Sequence, residues 1–230
     1  MVSLPPFASA PSIFAFMKRQ HLVLLTVFLS VLADQWLKFW VKTNMAYGEE
    51  FRILGQDWAL IHFVENNGMA FGLALGTEYG KPLLTIFRIA AVVLIALYLR
   101  QLLRHRAALP LLMGFTLVLA GALGNIIDSV FYGVVFSASS FYGGVSEFLP
   151  ADGGYAPLLY GRVVDMLYFP VAYGTYPDWV PVLGSKAYLF FRPVFNLADV
   201  AICAGVGVLV YYYLFRVVRA DAGAAIAEEE

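Results

Sequence analysis

Apolar residues along this chain gather into four long runs instead of alternating with polar ones. The runs lie near Leu22–Val41, Leu83–Leu103, Leu109–Tyr132 and Val194–Phe215. A helix needs roughly 20 mainly apolar residues to cross a bilayer, so the pattern predicts four transmembrane helices. Between the first and second runs the pattern changes. Phe51–Leu54 and Leu60–Val64 are short, rich in aromatic and branched residues, and separated by Gly55-Gln56-Asp57, which reads as a small sheet. Between the third and fourth runs the chain is long and rich in Gly, Ser, Tyr and Pro, as in Ser137-Ala138-Ser139-Ser140 and Gly153-Gly154-Tyr155. A structureless connection of that length is usually functional or partly disordered. Trp179 and the many tyrosines of this stretch suit a membrane interface, where such rings sit at headgroup level.

Composition agrees with the pattern. The chain is 61% hydrophobic and 13% charged, with a mean hydropathy of +0.75, whereas soluble domains run nearer half apolar and about a quarter charged. The excess apolar surface is expected to face lipid. A net charge of -1 gives no electrostatic pull toward nucleic acid. The one cysteine, Cys203, excludes an internal disulfide, and its apolar neighbours lead us to expect a buried core thiol. His21, His62 and His105 are scattered and form no His-Glu-x-x-His pair, so neither a zinc site nor any other cofactor is expected.

The basic residues orient the predicted bundle. Lys18 and Arg19 precede the first run, Arg100, Arg104 and Arg106 mark the short link between the second and third, and Arg216 and Arg219 follow the fourth. The positive-inside rule then makes both termini and the short link cytoplasmic. Residues 43–82 and 133–193 become the two outer connections of a single membrane domain spanning 1–230. Residues 1–16 are a separate question. Phe7–Phe16 is too short to span and its basic pair comes after it, a poor fit to a secretory signal; we expect translation to start at Met17. Glu228-Glu229-Glu230 is expected to be a solvated end.

Carboxylates inside spanning helices cost about 2.5–3.5 kcal/mol each on insertion scales, so each needs a reason. Asp34 and Lys38 lie four apart on the first run, hence on one helical face, and can neutralise each other or another buried group. Asn125 and Asp128 lie three apart on the third run, and Asn196 and Asp199 three apart on the fourth. Any one Asn/Asp pair can serve as an interhelical hydrogen bond; two pairs with Asp34 and Asp165 ask for more. A fourth helix opening at Val194 would put Asp199 about six residues below its outer end, roughly 9 Å. Asp165 in the outer connection can fold back to meet it. Two carboxylates held close share a proton near neutral pH, and such a pair can activate water and polarise a carbonyl. Glu65-Asn66-Asn67-Gly68-Met69-Ala70-Phe71-Gly72 permits a tight turn whose amides can bind an extended substrate.

Taken in order, these strings resemble lipoprotein signal peptidase, also called signal peptidase II. The family pattern is Asp-Gln-x-x-Lys, Asn-x-Gly-x-Ala-Phe-Gly, Gly-Asn-x-x-Asp-Arg, Val-Val-Asp and Phe-Asn-x-Ala-Asp. The chain supplies Asp34-Gln35 with Lys38, Asn66 through Gly72, Gly124 through Asp128, Val163-Val164-Asp165 and Phe195 through Asp199. The resemblance implies an all-α membrane fold of four helices with a small outer β-cradle between the first two. It implies Asp165 and Asp199 as the catalytic dyad, with Asn66, Gly68, Asn125, Asp128 and Asn196 shaping the site or contacting substrate. Asp34 and Lys38 take structural or electrostatic roles. The implied substrate is a diacylglyceryl-modified prolipoprotein, cut just before its lipidated cysteine. The implied setting is the bacterial inner membrane, with membrane lipid around a monomer and the site near the periplasmic face. Two departures stand out. The Arg expected after Asp128 is Ser129, for which Arg162 is the candidate replacement. The segments from Asp128 to Asp165 and from Asp165 to Asp199 are also longer than the pattern, a layout associated with the Bacteroidetes branch.

Other classes remain open on the residues alone. Intramembrane Asp, Asn and Lys also mark ion pathways, as in a small proton-coupled transporter, although internal repeats and Gly/Pro-broken spans are not evident. A non-catalytic assembly factor would use the outer connections for binding. Ser185 followed by Lys186 is a weak serine-protease signal, because adjacent loop side chains rarely face each other. The Gly-x-Gly-Asp string of presenilin-like proteases is missing from the sequence.

Overall fold

Each apolar run forms a long helix, and the four pack around the third. The structure, a computed structural model, describes residues 19–67, 80–142, 144–182 and 185–228. Met17, Gly68 and the rest of the turn after Asn67, Glu229 and Glu230 lie outside the described residues. The helices are α1 (Arg19–Asn44), α2 (Gly80–Arg104), α3 (Leu109–Ile127) and α4 (Leu197–Glu228). Pro110 lies in the first turn of α3, where its missing N–H costs nothing. Beyond Ile127 the rod continues through a π turn, Asp128–Tyr132, and a last helical turn, Gly133–Val135. The third span thus runs Leu109–Val135, and 44% of its apolar window is buried, against 17%, 11% and 11% for α1, α2 and α4. It is therefore the central helix. The outward faces of the others carry exposed large side chains such as Leu24 (66%), Phe28 (61%), Phe87 (69%) and Tyr211 (64%). A patch that large and apolar calls for a lipid environment, and the chain is a multi-pass membrane protein.

Small residues let α3 and α4 approach closely. A Cβ on Gly121 would fall 2.1 Å from the Ala198 carbonyl oxygen. One on Gly124 would fall 2.6 Å from Asp34 Oδ2 and 3.0 Å from Ala198 Cβ, so α1, α3 and α4 converge at this glycine. At the opposite end of the bundle the Arg19 guanidinium donates to the Ala107 carbonyl at 2.6 Å, which brings the start of α1 to the basic α2–α3 link.

The polar connections build a four-stranded antiparallel sheet, β1 (Glu50–Arg52), β2 (Leu60–Asn66), β3 (Val163–Tyr168) and β6 (Val194–Phe195), in the order β1-β2-β3-β6. The sequence pattern located β1 and β2 but read the second connection as loop. β3 escapes because Val163-Val164-Asp165-Met166 is buried on both faces and shows no alternation. A separate hairpin, β4 (Ala172–Thr175) with β5 (Ala187–Phe190), also lies there. Val41, Met45, Ile61, Phe63, Tyr132, Phe136, Val164 and Met166 form the core joining the sheet to the helix ends.

Two expectations are corrected. Val194 and Phe195 pair with Tyr168 and Leu167 instead of opening a helix, so α4 begins at Leu197 and Asp199 lies in its first turn, not six residues down. Cys203 is exposed; its apolar neighbours belong to an outward face, which in a membrane protein is as apolar as a core.

Gly121→Ala tests the close approach of α3 to α4. Overpacking there is expected to destabilise the bundle by about 1–3 kcal/mol, read as a lowered melting temperature in detergent, while Gly207→Ala, where a Cβ meets open space, should leave it nearly unchanged.

Candidate active site

The site is built outward from one buried lysine. The Lys38 ammonium lies 2.9 Å from Asp34 Oδ2 on its own helix and 2.8 Å from Asp128 Oδ2 on the third span. It also donates to Asn125 Oδ1 at 2.9 Å. The Lys38 and Asp128 side chains are fully buried. Gln35 adds donors to Asp128 Oδ1 at 2.8 Å and to the Gly124 carbonyl at 3.1 Å, and its own oxygen accepts from the Tyr132 hydroxyl at 3.2 Å. The i, i+4 pair read from sequence is thus real, and it neutralises a second carboxylate as well.

From this cluster two arms reach the outer residues. Asp128 Oδ2 accepts from the Val164 backbone N–H at 3.2 Å and so holds β3 beside Asp165. Asp34 Oδ1 accepts from the Ala198 N–H at 2.8 Å, an otherwise orphan donor of the first turn of α4. The negative charge of Asp34 also suits the positive end of the helix dipole.

Asn196 and Asp199 cap that helix reciprocally. The Asp199 N–H donates to Asn196 Oδ1 at 3.0 Å, and the Asn196 N–H donates to Asp199 Oδ2 at 3.2 Å, which is the geometry of a capping box. The three-residue spacing therefore has a local meaning, legible in sequence as an Asn followed by an acid three residues on. Asn125 Nδ2 donates to the other oxygen of Asp199 at 2.9 Å. The amide of Asn196 is turned the opposite way, toward β3. Its Nδ2 donates to Asp165 Oδ1 at 2.6 Å, with Asn125 Oδ1 at 3.1 Å and the Val164 carbonyl at 3.3 Å also in reach. One asparagine thereby touches both outer aspartates. Asn66, at the end of β2, donates to Asp165 Oδ2 at 3.4 Å.

Burial first, and then the charge of Asp199, push the Asp165 carboxyl up to about 7, against the opposing hydrogen bonds of Asn196 and Asn66 and the charge of Lys38. Of the residues anticipated from sequence, Asp34, Lys38, Asn66, Asn125, Asp128, Asp165, Asn196 and Asp199 form this one connected network. Arg162 stands apart: its guanidinium donates to Glu65 Oε2 at 3.2 Å and sits 5.4 Å from the Tyr155 ring. Ser129 turns back onto its helix, donating to the Asn125 carbonyl at 2.9 Å. Ser185 donates to Asp178. Sequence reading passed over Arg88 on α2, which interacts electrostatically with Asp199 and Asp165, and over Lys42 and Glu65. Lys42 follows Lys38 by four residues, a spacing that would have put it on the same face.

The family model described as signal peptidase (SPase) II matches residues 26–215, a span that contains every element of this network. The chain belongs to the signal peptidase II family. It is 44% identical over 188 residues to a lipoprotein signal peptidase of Porphyromonas gingivalis, covering 81% of this chain and 80% of that protein. It is 43% identical over 185 residues to one of Amoebophilus asiaticus, covering 79% and 73%. Both are Bacteroidetes relatives, as the long connections led us to expect. Its fold resembles that of a bacterial membrane enzyme solved by the in meso method at 2.3 Å resolution, with a TM-score of 0.54 and 22% identity over 84% of this chain and 88% of that one. Membership makes the protein an aspartic endopeptidase and sets aside the transporter and assembly-factor alternatives.

Lys38→Met should destabilise the protein by about 3–5 kcal/mol, because it strands buried carboxylates; thermal unfolding in detergent measures it. A second outcome concerns protonation. Asp165 holds its proton below about 7 and releases it above. A raised folded-state value means that the proton favours the folded state, a contribution present at low pH and lost as pH rises through that point. Infrared titration should show a protonated carboxyl signal with a midpoint near 7 that is missing in Asp165→Asn. In Asp199→Asn the midpoint should fall, since a like charge has been removed.

Proposed function

We propose that Asp165 and Asp199 are the catalytic pair of this signal peptidase II, and that it removes signal peptides from diacylglyceryl-modified prolipoproteins by cutting before the lipidated cysteine. The observation that carries the assignment is Asn196, which bonds Asp165 through its amide and Asp199 through the helix cap. Among the carboxylates of the network, Asp34 and Asp128 are each bound to Lys38, whereas Asp165 and Asp199 accept from the amides of Asn66, Asn125 and Asn196, with the charge of Arg88 acting on both. Asp165 in its protonated form donates a hydrogen bond to the scissile carbonyl. Asp199, at the positive end of α4, takes a proton from the attacking water. The tetrahedral intermediate collapses as a proton passes to the leaving amine. The mechanism assigns Asn66, Asn125 and Asn196 to orienting the pair, Asp128 to holding β3, and Lys38 with Asp34 to balancing charge beneath it.

The same reading extends to orientation. Arg19 beside the α2–α3 link supports a cytoplasmic face rich in basic residues, with both termini inside and the sheet on the periplasmic side of the inner membrane. Trp179, 81% exposed, suits the headgroup layer on that side. The substrate's acyl chains remain in the bilayer while its peptide lies along the sheet, and the enzyme acts as a monomer.

Cleavage of a purified diacylglyceryl-modified prolipoprotein by the full-length protein tests the pair. Asp165→Asn and Asp199→Asn should each lower kcat by about 10²–10⁴-fold, the range typical of general acid–base groups, with circular dichroism unchanged. Near-normal turnover in either variant would sink the assignment.

A further inference from the structure

Polar side chains of the long connection before β3 converge on one buried residue, Glu65, which the mechanism above does not use. The Glu65 side chain is 1% exposed. Its Oε1 receives the Lys42 ammonium and the Ser139 hydroxyl, the latter at 3.0 Å, and its Oε2 receives Arg162 Nη1 at 3.2 Å. Lys42 is fully buried at the end of α1. Its ammonium also donates to Ser139 Oγ at 2.9 Å and lies 5.2–5.9 Å from the ring centroids of Phe63, Phe136 and Tyr155. Ser139 is bonded in turn to Ser146 at 2.8 Å, and the Arg162 N–H donates to the Tyr155 hydroxyl at 2.6 Å. Five of these residues, Phe136, Ser139, Ser146, Tyr155 and Arg162, come from the stretch between the third span and β3.

Strand geometry says what this does. Glu65 lies opposite Val164, Val64 opposite Asp165, and Asn66 opposite Val163. Successive residues on a strand face opposite ways, so Glu65 and Val164 share one face while Asn66 and Asp165 share the other, where they bond each other. Glu65 is thus clamped from behind at the step between the two strands that carry Asn66 and Asp165. Arg162 closes the clamp one residue before β3 begins.

We infer that Glu65 is a positioning residue for catalysis. Anchored by Lys42 and Arg162, it transmits the packing of the inserted segment to the placement of Asn66 and Asp165. The insertion is then a working part of the active site, and the inference rests on the dyad assignment proposed above. Small displacements of a reacting group cost about 10²-fold in rate, so a loosened clamp shows in kcat and leaves substrate binding alone.

The test uses the full-length enzyme and the same diacylglyceryl prolipoprotein. Glu65→Gln should lower kcat about 10- to 100-fold with KM within about twofold, after correction for the folded fraction by size-exclusion and circular dichroism. The double variant Lys42→Met/Glu65→Leu removes both charges together. Apolar replacement of a buried pair often restores stability, so its melting temperature should recover while kcat stays low. Recovery of kcat along with stability would show that charge balance alone matters and would overturn the inference; so would a Glu65→Gln defect confined to KM or to the folded fraction. Should both variants fail to fold, Arg162→Met decides, because its side chain is 43% exposed and its loss is tolerable to the fold: a lowered kcat at constant KM supports positioning, and an unchanged kcat overturns it. Retained activity in Asp165→Asn or Asp199→Asn would instead remove the dyad reading itself. Full loss there with normal kcat in the Glu65 and Arg162 variants would remove only this inference.

Discussion

A single ammonium group buried in an apolar bundle is the constraint on which the rest depends. Lys38 is fully buried, and an unpaired charge in such a medium is expensive enough that the helices must bring it partners. Asp34, Asn125 and Asp128 are those partners. Meeting the requirement sets the rotation of α1 against the third span. The close approach that this needs is possible because Gly124 has no side chain where Asp34 lies.

The partners of Lys38 then act on the backbone beyond them. Asp34 accepts from an N–H in the first turn of α4, and Asp128 accepts from the backbone of β3. Helix start and strand are thereby pinned to one charge cluster, and Asn196 crosses between them. Asp165 and Asp199 inherit their geometry from the Lys38 cluster. Asp34 and Asp128 are tied to a cation, while Asp165 is held by amides, and burial with the charge of Asp199 pushes its carboxyl up to about 7. The Lys42–Glu65–Arg162 clamp repeats the device one turn further out, with residues of the long connection supplying the hydroxyls and rings.

The relation between the spans and the sheet follows from the same economy of contacts. In the bilayer a helix satisfies its own backbone, so apolar runs can stand with only small-residue contacts between them. Beyond the helix ends the chain must satisfy strands by pairing them. The sheet does so with pieces from both connections, β1 and β2 from one and β3 and β6 from the other. That pairing draws Asp165 from a distant part of the chain to the mouth of the bundle.

The sequence by itself determined the four spans, because twenty apolar residues have few other stable fates in water or lipid. It also singled out the polar residues that needed a reason, because the insertion penalty makes Asp34, Lys38 and Asp128 inside the spans costly. Periodicity could not reveal β3, whose residues are buried on both faces, nor the start of α4, whose apolar lead-in is strand. It could not reveal that Cys203 faces outward, since lipid and core select the same residues. Tertiary structure alone decided that Asn196 would join Asp165 to Asp199, that Arg162 would serve Glu65, and that Lys42 would be caged by rings drawn from both connections. Those contacts span 31, 97 and up to 113 residues of chain, and spacing along the chain carries no information about which distant side chains meet. Asp199 was legible as a costly residue, and Asp165 as a match to the family pattern. That they share one asparagine was not.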